Sequence, residues 1–345
     1  MYNLCILRYN GHFFNQIDTV TNILFSPLAI APMIDWTYSH FRVFMRILAP
    51  QALLYTEMQT TGAIQNNPTR ALHFSKQEHP LALQIGGSDP KSLAQCAKIA
   101  AQEGFDEVNV NLGCPSDKVK AGHFGACLMN DPAKVVACIK AMCDATTIPV
   151  TAKTRIGIDH QDSYEFFSDF VHQLVEAGSQ KIIVHARKAW LSGLSPKQNR
   201  TIPPVNYDYV YRIKQEIPHI PIVINGNIQN SQEVSVHLNS VDGVMLGRLA
   251  CDNPYQIAEL HKVLYPQIPK LTHSQAFSLY WDYLLDVYNK GDALSLLLKP
   301  VFNLAFGLPG ASQWKKQLML IMQTKDLSIF ESLVQYLSEI EEVTA

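Results

Sequence analysis

The sequence predicts an α/β fold, a (β/α)8 TIM barrel followed by a small C-terminal helical domain. Eight short apolar runs alternate with helical patterns over residues 24–262, which is typical of parallel strands covered by helices. After about residue 271 no strand-like run remains, and four amphipathic patterns follow. With 345 residues, the chain is long enough for one large domain and a smaller one.

The eight predicted strands share a high content of β-branched and other apolar residues. A doubly wound open sheet is the rival prediction, but it would not require eight units. The predicted strands are Leu28–Ile34, Leu53–Met58, Leu81–Gly87, Glu107–Gly113, Pro149–Gly157, Lys181–Arg187, Pro221–Ile228 and Gly243–Arg248.

Helical patterns with recognisable start signals lie between most of these strands. Pro90–Glu103 follows Ser88 and Asp89, which are typical capping residues, and Pro132 follows Asp131 at a first helical position. The other predicted helices are Asp162–Ala177 and Ser231–Leu238 in the barrel, and Ser274–Tyr288, Leu294–Phe306, Gln313–Gln323 and Ser328–Ile340 behind it.

Two prolines, Pro266 and Pro269, place a domain boundary near residues 263–272. We therefore expect a barrel domain over 24–262 and a helical domain over 263–345. Residues 1–23 form an N-terminal extension for which the sequence indicates no role. Polar residues interrupt this extension, so a signal peptide is not expected.

The composition excludes several classes of protein. Apolar residues make up 47% and the formal net charge is -2, so disorder is excluded and any nucleic-acid binding must depend on a local basic patch. None of the seven cysteines forms a CxxC pair, which indicates reduced thiols in the cytoplasm and no metal site. The longest apolar runs are far too short to span a membrane.

The carboxyl ends of the strands are where barrels of this kind carry function. Gly226 and Gly247 lie at the ends of the last two strands, where backbone N–H groups often hold a phosphate, and Arg248 follows directly. Lys153 and His185 point to the same mouth. A single histidine or an Asn-Gly turn is often only structural, but a lysine within an apolar strand is costly without a partner.

Several motifs resemble the tRNA-dihydrouridine synthases. They are Pro32-Met33, the run NVNLGCPS over 109–116, the run FGACLM over 124–129, Lys153, His185-Ala186-Arg187 and Asn225-Gly226. The runs HARKAW over 185–190 and GLSPK over 193–197, with Asn199-Arg200 and Ile202-Pro203-Pro204, are similar to the A-type subfamily, which modifies positions 20 and 20a of the D-loop. The resemblance covers roughly residues 26–320.

The resemblance implies an enzyme in which NADPH reduces FMN, a hydride reaches C6 of uridine, and Cys114 donates a proton to C5 as general acid. It implies tRNA contacts at Asn111, Lys197 and Arg200, and we add Lys315 and Lys316 because they lie in an acid-free stretch, 299–316, beside Trp314. The implied FMN site is Pro32, Met33, Ile34, Gln84, Lys153, His185, Asn225, Gly226, Asn227, Gly247 and Arg248. A second acid-free stretch carries Arg187, Lys188, Lys197 and Arg200 beside the barrel mouth.

Three segments of the sequence depart from the family pattern. Tyr38-Ser39 replace an Asp-Arg pair, the run SQWKK over 312–316 replaces an arginine-rich run, and Asn227 replaces a more frequent glycine. Lysine keeps the charge of arginine but loses its bidentate geometry. These departures affect the expected tRNA contacts and not the expected chemistry.

Two other functions remain open from the sequence. A flavin barrel acting on free pyrimidines, such as a dihydroorotate dehydrogenase, would share the barrel and the phosphate site but would not explain the basic stretch over 187–200. An RNA-binding protein whose flavin chemistry has lapsed would not explain Cys114, Lys153 and His185 together. We expect tRNA as the partner, a cytoplasmic monomer, and no membrane association or obligate protein partner.

Overall fold

Eight parallel strands close into a barrel in the computed structural model, which describes residues 23–344. The first strand pairs with the second at Ala29 and Leu53, and with the last strand at Ala29 and Met245. The predicted barrel is therefore confirmed, and the doubly wound open sheet is wrong. The strands are β1 (Leu28–Ile30), β2 (Leu53–Tyr55), β3 (Gln59–Thr60, a short addition to the edge of β4), β4 (Leu81–Gly86), β5 (Glu107–Leu112), β6 (Val150–Arg155), β7 (Ile182–His185), β8 (Ile222–Asn225) and β9 (Gly243–Leu246).

Two of the helices that cover the barrel begin at the predicted capping signals. Asp89 accepts a hydrogen bond from the backbone N–H of Ser92 at 2.8 Å, and Asp131 caps the helix that begins at Pro132 in the same way. The barrel helices are α1 (Ser39–Leu48), α2 (Thr61–Asn66), α3 (Pro68–Ala71), α4 (Pro90–Glu103), α5 (Asp117–Ala121), α6 (Pro132–Ala145), α7 (Tyr164–Glu176), α8 (Tyr207–Glu216), α9 (Ser231–Leu238), α10 (Arg248–Asp252) and α11 (Tyr255–Leu264).

Four helices follow the barrel, and one of them is shorter than the sequence predicts. The predicted helix Leu294–Phe306 ends at Leu298 and continues as a 3-10 turn over Lys299–Val301. Pro300 explains the difference, because proline lacks the N–H that an α-helix needs and its ring clashes with the preceding turn. The helices are α12 (His273–Asn289), α13 (Leu294–Leu298), α14 (Ala311–Thr324) and α15 (Phe330–Thr344).

The C-terminal helices pack against the loop that follows β1. The hydroxyl of Tyr38 donates to the carbonyl of Leu296 at 2.8 Å, and Nζ of Lys299 donates to the carbonyl of Asp35 at 2.5 Å. The Lys299 ammonium also lies 4.6 Å from the centre of the Trp36 ring. Tyr38, one of the departures from the family pattern, therefore joins the barrel to the helices behind it.

The barrel interior is apolar in part and polar along one side. Inward-facing residues of β1, β2, β7, β8 and β9 form a small apolar cluster, which includes Ala29, Leu53, Ile183, Val223 and Met245. Strands β5 and β6 instead turn charged and polar side chains inward, as the alternation along each strand requires. The polar side leads to the mouth of the barrel.

The N-terminal extension lies outside the described residues except for Ile23, and the division into domains at 263–272 stays a prediction. Between residues 23 and 344, no helix has the length and apolar character needed to cross a bilayer. The same part of the chain contains no cluster of His, Cys, Asp and Glu side chains suited to a metal ion.

Candidate active site

The carboxyl ends of β4 to β8 bring together the polar side chains that the sequence places at the barrel mouth. In the register of the sheet, Asn111 lies opposite Lys153, and His185 lies opposite Asn225. Gln84 is linked to Asn111 by a hydrogen bond of 2.8 Å between Oε1 and Nδ2. One side of the mouth therefore carries amides, an ammonium and an imidazole on adjacent strands.

Lys153 carries a partly buried ammonium on β6. Its Nζ donates to Oδ1 of Asn225 at 3.1 Å, and Asn225 donates through Nδ2 to the carbonyl of Met245 at 2.7 Å. Burial, together with the charge of Arg155, lowers the pKa of Lys153 from 10.5 to about 7. A negative charge or acceptor bound in the mouth would oppose both effects and favour the protonated form.

His185 lies at the end of β7, surrounded by cations. Burial lowers the pKa of His185 well below its ordinary value, and the charges of Arg155, Lys153, Arg187 and Arg248 lower it further. The imidazole is therefore neutral at physiological pH. A mouth in which the neighbouring charges are positive is suited to an anion or to a group that gains negative charge.

Gly226 allows the loop after β8 to lie against His185. Its φ is +124°, and an added Cβ would lie 2.8 Å from Cδ2 of His185. The hydroxyl of Tyr207 donates to the carbonyl of Gly226 at 2.7 Å and holds the loop in place. Asn227, the next residue, has a φ of +58° and an exposed side chain. Because both residues have a positive φ, the chain reverses direction at the mouth.

The loop after β1 lies beside the loop after β9. The carbonyl of Met33 accepts hydrogen bonds from the backbone N–H groups of Trp36 and Thr37, at 3.1 and 2.9 Å. An added Cβ at Gly247 would make an ordinary contact with Sδ of Met33 at 3.5 Å. The side chain of Ile34 is 55% exposed at the same mouth, and Pro32 is partly exposed.

Cys114 lies in the loop that follows β5, and several bonds hold this loop. Oδ1 of Asn111 accepts from the N–H of Gly113 at 3.2 Å and from the N–H of Cys114 at 3.0 Å. Nε of Arg155 donates to the carbonyl of Gly113 at 2.8 Å. The thiol is partly exposed and donates to Oγ of Ser116 at 3.4 Å. A fixed, accessible thiol at the end of a barrel strand suits a proton donor.

Gly125, from the second family motif, supports the same loop. The N–H of Ala126 donates to the carbonyl of Cys114 at 3.0 Å, so the chain at Gly125 passes directly behind the cysteine. An added Cβ at Gly125 would lie 2.4 Å from Cγ1 of Val119 and 2.6 Å from the carbonyl oxygen of Cys114, at a φ of +72°.

Gly125→Ala is expected to lower the free energy of unfolding by about 1–3 kcal/mol because of the positive φ, and to displace the Cys114 loop as well. Gly193→Ala is the matched control, because Gly193 has a φ of +79° with nothing within 4 Å of the added Cβ. Urea denaturation and the rate of alkylation of Cys114 measure the two effects. If both variants alkylate at the same rate, the contact with Cys114 has no influence on the loop.

The predicted basic stretch beside the mouth is only partly available to a ligand. Arg187 is buried and donates to the carbonyl of Pro203, and Lys188 pairs with Asp162 at 2.6 Å. Burial and a carboxylate from the preceding loop therefore engage two of the four cations in this acid-free stretch, Arg187 and Lys188. Lys197 and Arg200 are exposed and have no ion-pair partner among residues 23–344.

The remaining predicted contacts lie on three elements, α10, α14 and β5. Nη2 of Arg248 donates to the carbonyl of Arg200 at 3.3 Å, which connects the loop after β9 to the basic stretch. Lys315 and Lys316 lie on α14, and neither forms an ion pair within the described part of the chain. Asn111 is only 9% exposed, and its role in holding the Cys114 loop was not predicted from sequence. Its contact with tRNA stays a prediction.

Sequence reasoning also missed a buried ion pair in the barrel. Glu107 and Lys181 meet at 2.5 Å, and both side chains are almost completely buried. The signal was present in β5, where Glu107, Asn109 and Asn111 alternate with apolar residues and so must share the inner face.

The site and the fold agree with a family comparison. The model of the dihydrouridine synthase (Dus) family matches residues 29–341. The chain belongs to this family. This match confirms the resemblance seen in the motifs. Members of the family are flavin-dependent oxidoreductases.

Three similar proteins carry the name tRNA-dihydrouridine(20/20a) synthase. The one from Yersinia pestis is 49% identical over 292 residues, covering 84% of this chain and 85% of the relative. The one from Vibrio cholerae is 47% identical over 293 residues, covering 84% and 90%. The one from Shewanella oneidensis is 48% identical over 305 residues, covering 88% and 91%.

Proposed function

We propose that this chain reduces the C5=C6 bond of uridine to 5,6-dihydrouridine at D-loop positions 20 and 20a of tRNA, with FMN as cofactor and NADPH as reductant. The names of the similar proteins support the reaction and the positions. The observation that carries the proposal is the placement of Cys114, fixed by Asn111, at the rim of a mouth that also holds Lys153 and His185.

The residues at the mouth fit FMN by their chemistry. Lys153 and Arg248 supply positive charge, and the neutral ring of His185 and the amides supply donors and acceptors for a polar ring. The backbone after the last two strands lies where barrels often hold a phosphate. The residues that would hold FMN are Pro32, Met33, Ile34, Gln84, Lys153, His185, Asn225, Gly226, Asn227, Gly247 and Arg248.

Cys114 supplies the proton in this proposal. Bound FMN would supply the hydride for C6 of the uracil ring, and the target uridine must first leave its stack to reach the mouth. In this proposal, Sγ of Cys114 donates its thiol proton to C5. Lys153, Arg155 and Arg200 lie close enough to interact with a negative charge on this sulfur, and they stabilise it after the transfer.

Lys197 and Arg200 are proposed to contact tRNA phosphates. Lys315 and Lys316 form a second proposed patch, and Asn111 is proposed to contact the substrate at the mouth. Lys197→Ala and Arg200→Ala are each expected to weaken tRNA binding and to reduce the slope of log affinity against log salt by about 1. Lys188→Ala is the control, because Asp162 already pairs with this ammonium. Filter-binding titrations at several salt concentrations measure the slope. An unchanged slope for Lys197→Ala would remove that residue from the interface.

The proposed activity is tested by mass spectrometry of tRNA from cells that lack the protein, complemented with the wild type or with Cys114→Ala. We expect dihydrouridine to be lost from positions 20 and 20a and to be restored by the wild type alone. If the modification is unchanged in the deletion strain, purified protein is assayed on unmodified tRNA so that redundancy is excluded.

The same purified protein separates the alternatives. A yellow protein that reduces a free pyrimidine but not tRNA would favour the dihydroorotate dehydrogenase type. A colourless protein that binds tRNA would favour the lapsed RNA-binding protein. We also propose that the protein is cytoplasmic, because its proposed substrate is tRNA. We further propose that it is a monomer and that residues 263–345 form a helical domain. Gel filtration of the pure protein tests its oligomeric state.

A further inference from the structure

A continuous row of hydrogen bonds runs through the barrel interior and ends at the backbone of Cys114. It begins at Glu107, the first residue of β5. Oγ1 of Thr151 donates to Oε1 of Glu107 at 2.5 Å, and Nδ2 of Asn109 donates to Oγ1 of Thr151 at 2.8 Å. These two bonds lie below the mouth, and all three residues are fully buried.

Two more amides continue the row to the mouth. Nε2 of Gln84 donates to Oδ1 of Asn109 at 2.9 Å, and Nδ2 of Asn111 donates to Oε1 of Gln84 at 2.8 Å. Oδ1 of Asn111 then accepts the N–H of Cys114 at 3.0 Å. We call these six residues, Glu107, Thr151, Asn109, Gln84, Asn111 and Cys114, the Glu107–Cys114 chain.

Every donor in this chain points toward Glu107, and the two ends enforce that direction. The carboxylate of Glu107 can only accept, and Lys181 holds it with a contact of 2.5 Å. The backbone N–H of Cys114 can only donate. Turning one amide around would place donor against donor on one side and acceptor against acceptor on the other. Because these groups are buried, each lost bond would leave costly unsatisfied atoms.

We infer that Glu107 and Thr151 are positioning residues, which fix the orientation of the amides of Gln84 and Asn111 and thereby hold the loop that carries Cys114. The inference rests on the proposed role of Cys114 as proton donor. It also has a consequence for substrate recognition. Oδ1 of Asn111 already accepts two backbone N–H groups, so Asn111 can offer a substrate only the second N–H of its amide. Such a donor suits a carbonyl oxygen of a pyrimidine.

Three variants separate positioning from general stability. Thr151→Val removes the hydroxyl that links Asn109 to the carboxylate but keeps the shape of the side chain, and Thr151→Ser keeps the hydroxyl. Tyr55→Phe is the matched control, because the Tyr55 hydroxyl donates to the same Oε1 of Glu107 at 2.6 Å but lies outside the chain. If Thr151→Val does not fold, Asn109→Ala breaks the chain one bond further on and carries the same prediction.

Two measurements are made on each purified holoenzyme. The first is anaerobic stopped-flow absorbance, which separates the reduction of the flavin by NADPH from its reoxidation by unmodified tRNA. The second is alkylation by iodoacetamide, with mass spectrometry of the peptide that contains Cys114. The alkylation rate reports how firmly the loop that carries Cys114 is fixed, and its measurement needs no catalytic turnover.

Thr151→Val is expected to slow reoxidation by tRNA about 10- to 100-fold, because a small displacement of a reacting group has an effect of this size. Reduction by NADPH should change less than about twofold, and alkylation of Cys114 should become several-fold faster. Thr151→Ser should restore both rates, and Tyr55→Phe should resemble the wild type in both.

The inference is overturned if Thr151→Val matches Tyr55→Phe in both measurements, or if Thr151→Ser is as defective as Thr151→Val. Failure of the proposed function has a different signature, because the wild-type flavin would then not be reoxidised by tRNA at all. In that case the alkylation rates still decide whether the chain holds the Cys114 loop.

Discussion

Replacing Cys114 by alanine is expected to slow the reoxidation of the reduced flavin by tRNA about 10²–10⁴-fold, the usual contribution of a general acid. The substitution removes the thiol proton and leaves the loop bonds intact, because Asn111 and Arg155 bind the backbone and not the sulfur. Reduction of the flavin by NADPH does not use that proton and should be nearly unchanged. Anaerobic stopped-flow absorbance measures both rates on one sample.

Cys127→Ala is the matched control for this experiment. Cys127 belongs to the second family motif and is also partly exposed, but its thiol donates to the carbonyl of Phe124 at 3.0 Å, and burial raises its pKa. Its replacement should leave reoxidation by tRNA unchanged. If Cys114→Ala reoxidises as fast as Cys127→Ala, the proton reaches C5 from another group and the assignment of the general acid is wrong.

The barrel could be predicted from sequence because its signals are local. Each strand is a short apolar run, and helices such as α4 and α6 begin at an Asp-Pro pair that works as a cap without any tertiary contact. The end of α13 was missed although Pro300 was visible in the sequence, because the apolar pattern continues past it to Phe306. At that point the backbone geometry of proline outweighs periodicity.

The candidate site was less predictable because its electrostatics depend on partners that are distant in sequence. Lys188 looks like a free cation until the fold brings Asp162 to it, and Arg187 looks exposed until the loop at Pro203 covers it. Lys181 is separated from Glu107 by 74 residues, so no local pattern shows that these two residues form a pair. Strand periodicity places Glu107 on an inner face, but its partner becomes known only once the barrel closes.

The departure from the family pattern at Tyr38 has a structural consequence that motif comparison could not supply. Its hydroxyl bonds to Leu296 in the C-terminal helices, and its ring lies 5.8 Å from the Lys299 ammonium. Burial raises the pKa of Tyr38 above its ordinary range, so the hydroxyl remains a donor at physiological pH. The loop that carries Met33 and Ile34 is therefore bonded to α13, which contacts α14, the helix that carries Lys315 and Lys316.

The partly buried ammonium of Lys153 makes the stability of the flavin-free protein depend on pH. Its pKa is about 7 in the folded protein and 10.5 in the absence of burial, so between these values the unfolded chain binds a proton that the folded chain does not. The contribution of this group to the free energy of unfolding therefore rises with pH across that interval and is constant below it. A bound acceptor that favours the charged form should remove this dependence.

Binding of FMN at pH 8 is accordingly expected to take up most of one proton, since a group with a pKa of about 7 is mostly deprotonated at that pH. The phosphate of free FMN is already fully ionised there and contributes little. Isothermal titration calorimetry in two buffers of different ionisation enthalpy measures the uptake. Lys153→Met should abolish it and weaken FMN binding about 10- to 100-fold, the usual effect of losing a hydrogen bond from a charged group.

Lys188→Met provides the comparison, because that ammonium is already paired with Asp162 and should keep both the uptake and the affinity. The two outcomes distinguish whether Lys153 is charged or neutral before FMN binds. If Lys153→Met loses affinity but the proton uptake persists, another group titrates on binding, and Lys153 is already charged before FMN arrives. If both are lost together, the cations around the mouth keep Lys153 neutral until FMN binds. Lys153 then takes up a proton on binding, and its positive charge would stabilise the reduced, anionic ring.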